Sequence, residues 1–307
     1  MRKNINPICS MRRVALYLVG SLKSSKKRVL LFLVGIPFLK SILMIYRYKM
    51  IIKLVGFFSS KKYSYDPSHF SDTFLAEFSV NSQYSFNSEI PKQIFCFWTG
   101  ANKMSQTRRK SLDYLIRNSG VKVELITPKN LKQFLKNDFP LHEGFQYLSL
   151  VHKSDYLRCY FMHHYGGGYS DIKQSTSSWQ EPFSQIMKNH DKWIIGYREF
   201  GPKGVASVEG QLGVALKRNW FVLLSNGAYI CKPCSPFTRE WYRELHKRMD
   251  YYINNLRVNP GNIFGDNPGY PIPWSYILGQ IFHPLCLKYH NHLLYSNKLR
   301  PISEDYR

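Results

Sequence analysis

Residues 150–173 read LVHKSDYLRCYFMHHYGGGYSDIK, and the local chemistry of this stretch decides how the rest of the chain is arranged. Leu150, Leu157, Tyr160, Phe161 and His164 recur at helical spacing and give a helix one apolar face to bury. Asp155 and Arg158 stand three apart, so their side chains leave nearly the same side of that helix. Gly166, Gly167 and Gly168 end it, because glycine takes the positive-φ geometry of a C-cap without a steric penalty. A short strand from Tyr169 to Ile172 then delivers Asp171 close to the Asp155–Arg158 face. Two carboxylates and a guanidinium beside a glycine turn make a polar site rather than a core. The adjacent His163 and His164 point different ways on a helix and cannot chelate one ion well, so they read as structural. His152 and Lys153 read as a solvated helix start.

Upstream, IPKQIFCFWTG (90–100) contains the continuous apolar run IFCFW, as expected of a strand buried on both faces. A helix is expected at about 105–118, a second strand at 121–126, and a further helix after Pro128 at its N1 position. This alternation predicts an α/β fold with a doubly wound, mostly parallel sheet and ligands at the carboxyl ends of its strands. That rule puts Trp98 on the ligand side, against the alternative of a core tryptophan. Downstream, residues 193–198 form a strand and 220–230 hold one or two more. Ser235-Pro236 opens a helix running to about residue 256. The Pro- and Gly-rich 259–274 (NPGNIFGDNPGYPIPW) is a loop long enough to be functional, as a lid or part of an acceptor site. A closing helical stretch over 275–295 breaks at Pro284.

The charge is uneven. The chain of 307 residues carries a formal charge of +23, yet residues 1–65 hold fourteen Lys or Arg and no acid, while the remainder has 29 basic and 20 acidic residues. Residues 1–62 alternate basic clusters with apolar runs, the longest being 29–46, interrupted by Gly35, Pro37 and Lys40. That run barely reaches spanning length, so helices lying in the interface of an anionic membrane are expected. Basic residues interleaved with Leu, Ile, Val and Phe argue against nucleic acid as the partner. The domains expected are a membrane-associating basic, apolar helical segment (1–62), a Ser-, Tyr- and Asn-rich connector (63–90) and a catalytic domain (91–307). Six cysteines sit mostly in apolar runs and suit buried free thiols in a reducing compartment. Cys231 and Cys234 have metal-pair or redox spacing but no second pair nearby, so they read as thiols in a strand-to-helix connection.

The 154–173 block resembles the SD-x-LR … GG-x-Y-x-D-x-D signature of DXD-type (GT-A) nucleotide-sugar glycosyltransferases. These include the bacterial capsular polysaccharide synthesis transferases and glycosyltransferase family 32. Asp155, Leu157, Arg158, Gly166, Gly167, Tyr169 and Asp171 match, while Lys173 stands where the last acid belongs. The resemblance implies a GT-A-like fold and catalytic roles for Asp155, Arg158 and Asp171. It also implies a nucleotide-sugar site at Trp98, Gly100, Asp155, Arg158, Gly167, Tyr169 and Lys173, with Trp98 stacked on the base. Tyr169 reads equally as a diphosphate-contacting hydroxyl or a core tyrosine.

Sugar transfer develops oxocarbenium character at the anomeric carbon and negative charge on the leaving diphosphate, and both must be stabilised. Either Asp171 holds a Mn²⁺ or Mg²⁺ ion, which is the expectation, or Lys173 supplies positive charge directly. The implied function is transfer of a sugar to a glycan acceptor, lipid-linked, in capsular or other surface polysaccharide synthesis at the cytoplasmic face of the inner membrane, the protein being peripheral or single-span. The alternative is a non-catalytic scaffold of that machinery.

Overall fold

The strands alternate their side chains between two cores, and that alternation builds the fold. In β1 (Gln93–Phe97), Phe95 and Phe97 enter one apolar cluster, whereas Ile94 and Cys96 enter a second on the opposite face. A computed structural model describes residues 63–78 and 89–302. Among them a six-stranded sheet runs in the order β2-β1-β3-β5-β4-β6, with β2 at Lys122–Ile126, β3 at Gly167–Ser170, β4 at Ile194–Arg198, β5 at Leu224–Cys231 and β6 at Leu293–Tyr295. β5 pairs antiparallel with β3 and β4, and the other pairings are parallel, so the sheet is mostly parallel.

Helices cover both faces. The larger core packs α2 (Leu150–His164), α4 (Gly210–Arg218), α5 (Pro236–Val258) and α6 (Gly279–Lys288) on one side. Leu112 and Leu115 of α1 (Gln106–Ser119), with Phe183 and Ile186 of α3 (Gln180–Lys188), close the other. This is the doubly wound α/β arrangement expected. Ser235 caps α5 as expected, accepting from its third residue; Ser105 does the same for α1, and Gly120 ends α1 at φ 68°.

Three local expectations need correction. The helix after Pro128 is only a 3₁₀ turn, Leu131–Phe134. Residues 220–222 form another such turn, and β5 is the one strand there, within the one or two expected. Pro284 lies inside α6 without ending it. Proline cannot donate to the Gln280 carbonyl, and Arg248 Nη2 reaches that oxygen instead, at 3.4 Å. Residues 63–78 are more than a connector, because Phe70 and Leu75 are buried in the larger core and Lys288 Nζ donates to the Leu75 and Phe78 carbonyls at 2.8 and 2.6 Å. The membrane-associating helical segment expected over 1–62 lies outside the described residues; among those described, no helix is long and apolar enough to cross a membrane.

Candidate functional site

The corner between α2 and β3 forms as its sequence dictates. Ser149 caps α2 by accepting from His152 N at 3.1 Å. The next two amides, which have no partner inside the helix, donate to loop carbonyls, Leu150 N to Asn262 and Val151 N to Ile263. At the other end Gly166 takes φ 66°, where an added Cβ would lie 2.5 Å from Pro233 and 2.9 Å from the Cys231 carbonyl. The strand therefore starts within the glycines. Gly168 permits the close approach of Trp179, whose ring a Cβ would meet at 2.9 Å.

Parallel pairing of β1 and β3 aligns Phe95 with Tyr169, so both strands end side by side, with Asp171 just beyond the carboxyl end of β3. Asp155, Arg158 and Asp171 come together as the spacing predicted. Arg158 Nη2 lies 3.1 Å from Asp155 Oδ1 and 3.7 Å from Asp171 Oδ1. Lys173 Nζ is 2.8 Å from Asp171 Oδ2. The Tyr169 ring is buried under Arg158, 4.4 Å from the guanidinium carbon, and its hydroxyl donates to Asp171 Oδ1 at 2.6 Å. Burial drives the Asp155 carboxyl above the usual range, with Arg158 and His152 opposing. Burial pushes Asp171 the same way, but Arg158 and Lys173 outweigh it and hold that carboxyl low.

The corner opens to solvent at one end. The Asp171 and Lys173 side chains are 24% and 16% exposed, whereas Asp155 and Arg158 keep 5% and 9%. The solvent-facing pair is thus Asp171 and Lys173, backed by a buried acid–guanidinium couple. Three buried polar atoms around that couple lack hydrogen-bond partners: Arg158 Nε, Tyr229 OH and Asn226 Oδ1.

Of the other predicted residues, Gly167 packs against the Pro91 and Gln93 carbonyls. Gly100 lies against Leu150 at the start of α2, and Thr99 Oγ1 donates to the Leu150 carbonyl at 2.6 Å. Trp98 is half-buried against the second core, and its indole N–H donates to the Asn102 carbonyl at 2.8 Å. His152 is not solvated, as expected from its place at the helix start, but fully buried. Its Nδ1 is 2.8 Å from Tyr270 OH and its Nε2 3.2 Å from the Trp274 carbonyl, which fastens the 259–274 loop to α2. Lys153 is half-buried over Phe145. His163 and His164 pack around Tyr242, as structural residues. Cys231 ends β5 and Cys234 precedes the α5 cap, both as free thiols.

Several contributors escape sequence reasoning. Asn226 accepts from Arg158 Nη1 at 3.1 Å, and Gly227 accepts from Asp171 N at 2.8 Å, both through backbone carbonyls of β5. Arg108 of α1 holds the Ile172 carbonyl at 3.0 Å. Behind Asn226 lies buried His283. Its Nδ1 accepts from Ala206 N, so Nε2 carries the proton and faces the Asn226 amide at 3.4 Å and Glu199 at 3.7 Å. With the Asn226 oxygen turned to that N–H, its amide is satisfied. Two clefts elsewhere, one lined by Tyr63, Phe70 and Arg218, the other by Phe74, Glu77 and Tyr276, contain none of the corner residues. The clustered charges, not cavity size, mark the site.

The acid expected to carry a Mn²⁺ or Mg²⁺ ion is already engaged by protein groups. Mg²⁺ and its relatives need oxygen ligands at about 2.0–2.2 Å in a near-octahedral shell. Asp171 already engages Lys173 through one oxygen and Tyr169 through the other, and Asp155 is buried against Arg158. Among the described residues no group of three or more His, Cys, Asp or Glu is placed to hold a metal.

A family model described as "Capsular polysaccharide synthesis protein" matches residues 66–259, a span that contains the whole corner. A solved structure titled "PaToxG Glycosyltransferase" is similar at 15% identity and a TM-score of 0.38, over 65% of this chain and 69% of that one. No curated protein matches the sequence. With its signature block and corner inside the matched span, which covers more than half of the chain, the chain belongs to the capsular polysaccharide synthesis protein family.

Proposed function

We propose that this protein is a glycosyltransferase that moves a sugar from a nucleotide-sugar donor to a glycan acceptor during capsular or related surface polysaccharide synthesis. One observation carries the reading: a mutually neutralising cluster of Asp155, Arg158, Asp171 and Lys173 at the carboxyl ends of parallel strands, opening to solvent at Asp171. In the reaction the anomeric carbon's bond to phosphate oxygen breaks, its electron pair leaving with the nucleoside diphosphate. A bond to the acceptor oxygen forms, and that hydroxyl's proton passes to the departing diphosphate. Asp171 holds the donor sugar at the strand end, and Arg158, fixed by Asp155 and the Asn226 carbonyl, keeps Asp171 ionised and oriented. Trp98 and Gly100, beside the start of α2, receive the nucleotide.

The acceptor is lipid-linked in this reading, and residues 1–62 bring the enzyme to the anionic cytoplasmic face of the inner membrane. Release of nucleoside diphosphate from a panel of nucleotide sugars tests the activity. One donor should be consumed; failure of every donor, with lipid-linked acceptors supplied, contradicts it. Deleting residues 1–62 should move the protein from the membrane pellet to the supernatant, and a variant that still pellets removes the anchoring role. A scaffold is the second reading, motivated by Lys173 at the position of an acid. A scaffold gains no thermal stability from any nucleotide sugar.

A further inference from the structure

Resting on the donor-site reading above, we propose that Lys173 takes the place of a divalent cation, so that the corner binds a donor's diphosphate without metal, through the Lys173 ammonium. Three observations carry this. The first is charge. Asp155 and Asp171 are balanced by Arg158 and Lys173, and the cluster is neutral as it stands. Exchanging a carboxylate for an ammonium at position 173 raises the local charge by two, which is what one divalent ion supplies.

The second is geometry. Ile172 is buried in the second core at a bend in the chain, and the bend leaves Asp171 and Lys173 side by side, with Nζ 2.8 Å from Oδ2. That segment is held from both sides. Arg108 binds the Ile172 carbonyl at 3.0 Å, Asp171 N donates to Gly227 at 2.8 Å, and Lys173 N donates to the Asp171 carbonyl at 2.7 Å. The ammonium therefore occupies a built position beside the strand-end acid. The third is occupancy: both Asp171 oxygens already accept from Lys173 and Tyr169, and an ion bound there would meet the repulsion of an ammonium 2.8 Å from the acid. An incoming phosphate, by contrast, adds an acceptor to a cation already in place.

The experiment uses the full chain and four probes, UDP, GDP, ADP and CDP, each titrated by calorimetry in EDTA and again in millimolar Mn²⁺. Wild type is expected to bind at least one of them with Kd values in the two media within about threefold of each other. Lys173→Met should weaken that binding about tenfold or more in both media. Lys173→Asp should lose binding in EDTA and regain it with Mn²⁺, because it restores the second acid. Melting curves without nucleotide confirm that both variants are folded. Wild-type binding that requires Mn²⁺ and disappears in EDTA overturns the inference and leaves the donor reading standing. Equal binding by Lys173→Met and wild type in EDTA also overturns it. No binding of any probe in either medium overturns the donor reading and this inference together.

Discussion

Two of the lysine–carboxylate clusters among the described residues are built to different ends: one fastens residues 63–78, a strap on the larger core, and the other lies at the corner. At the strap, Lys288 Nζ meets both oxygens of the fully buried Glu240 at 2.9 Å, as well as the Leu75 and Phe78 carbonyls, and Tyr289 OH donates to Glu240 at 2.7 Å. Lys288 and Glu240 satisfy each other there, although the buried Tyr63 and Tyr65 hydroxyls of the same segment have no partner, and what the pair joins is one part of the fold to another. At the corner, Lys173 and Asp171 face solvent, and Arg158 Nε and Tyr229 OH behind them lack partners. A buried, paired charge joins elements of the fold, whereas a charge pair beside an opening is placed to take up a ligand.

The contrast breaks most visibly at the strap. Lys288→Met strands Glu240 as a buried charge and should cost about 3–5 kcal/mol, read from urea unfolding. A loss below about 1 kcal/mol would mean that the strap network is no more structural than a surface pair. Gly166→Ala tests whether the corner's geometry depends on its glycine. The new methyl faces Pro233 and the Cys231 carbonyl at a positive φ, and should cost about 1–3 kcal/mol.

The pH profile sharpens the distinction from a third region. Burial holds His163 at about 3 and His164 and His246 at about 4, so all three are neutral in the folded protein at pH 7. The unfolded chain protonates them near 6.5, so their contribution is intact above that pH and is lost as pH falls from about 6.5 towards 4. Thermal unfolding between pH 7 and 5 should show stability falling with acidification. Replacing His164 by Phe should flatten the slope by up to about 1.4 kcal/mol per pH unit. An unchanged slope would show that His164 is accessible to protons in the fold. The smallest effect is expected at Glu77, whose pairs with Lys247 and Arg243 are exposed. Glu77→Gln should cost less than about 1 kcal/mol.

What the sequence disclosed was local. Asp155, Arg158, the glycine break and Asp171 lie within one short stretch, where helical spacing and a cap fix their relation. What it concealed depends on distant partners. Nothing in 220–230 announces that β5 inserts antiparallel between β3 and β4, yet that insertion brings the Asn226 and Gly227 carbonyls to the corner. His152 looks solvated until Tyr270 and Trp274, from a loop more than a hundred residues away, close over it. Pro284 looks like a helix end until Arg248 supplies the donor that proline lacks. Residues 63–78 read as a linker by composition, and only distant partners, the core that buries Phe70 and Leu75 and the Lys288 ammonium on their carbonyls, reveal them as part of the fold.

The central claim is that the solvent-facing cluster handles the donor, and turnover by Asp171→Asn tests it most directly. With the donor found by screening, the account predicts a fall of at least about 100-fold in kcat/KM while the melting temperature moves by no more than about 4 °C. Wild-type turnover in a folded Asp171→Asn protein would contradict it.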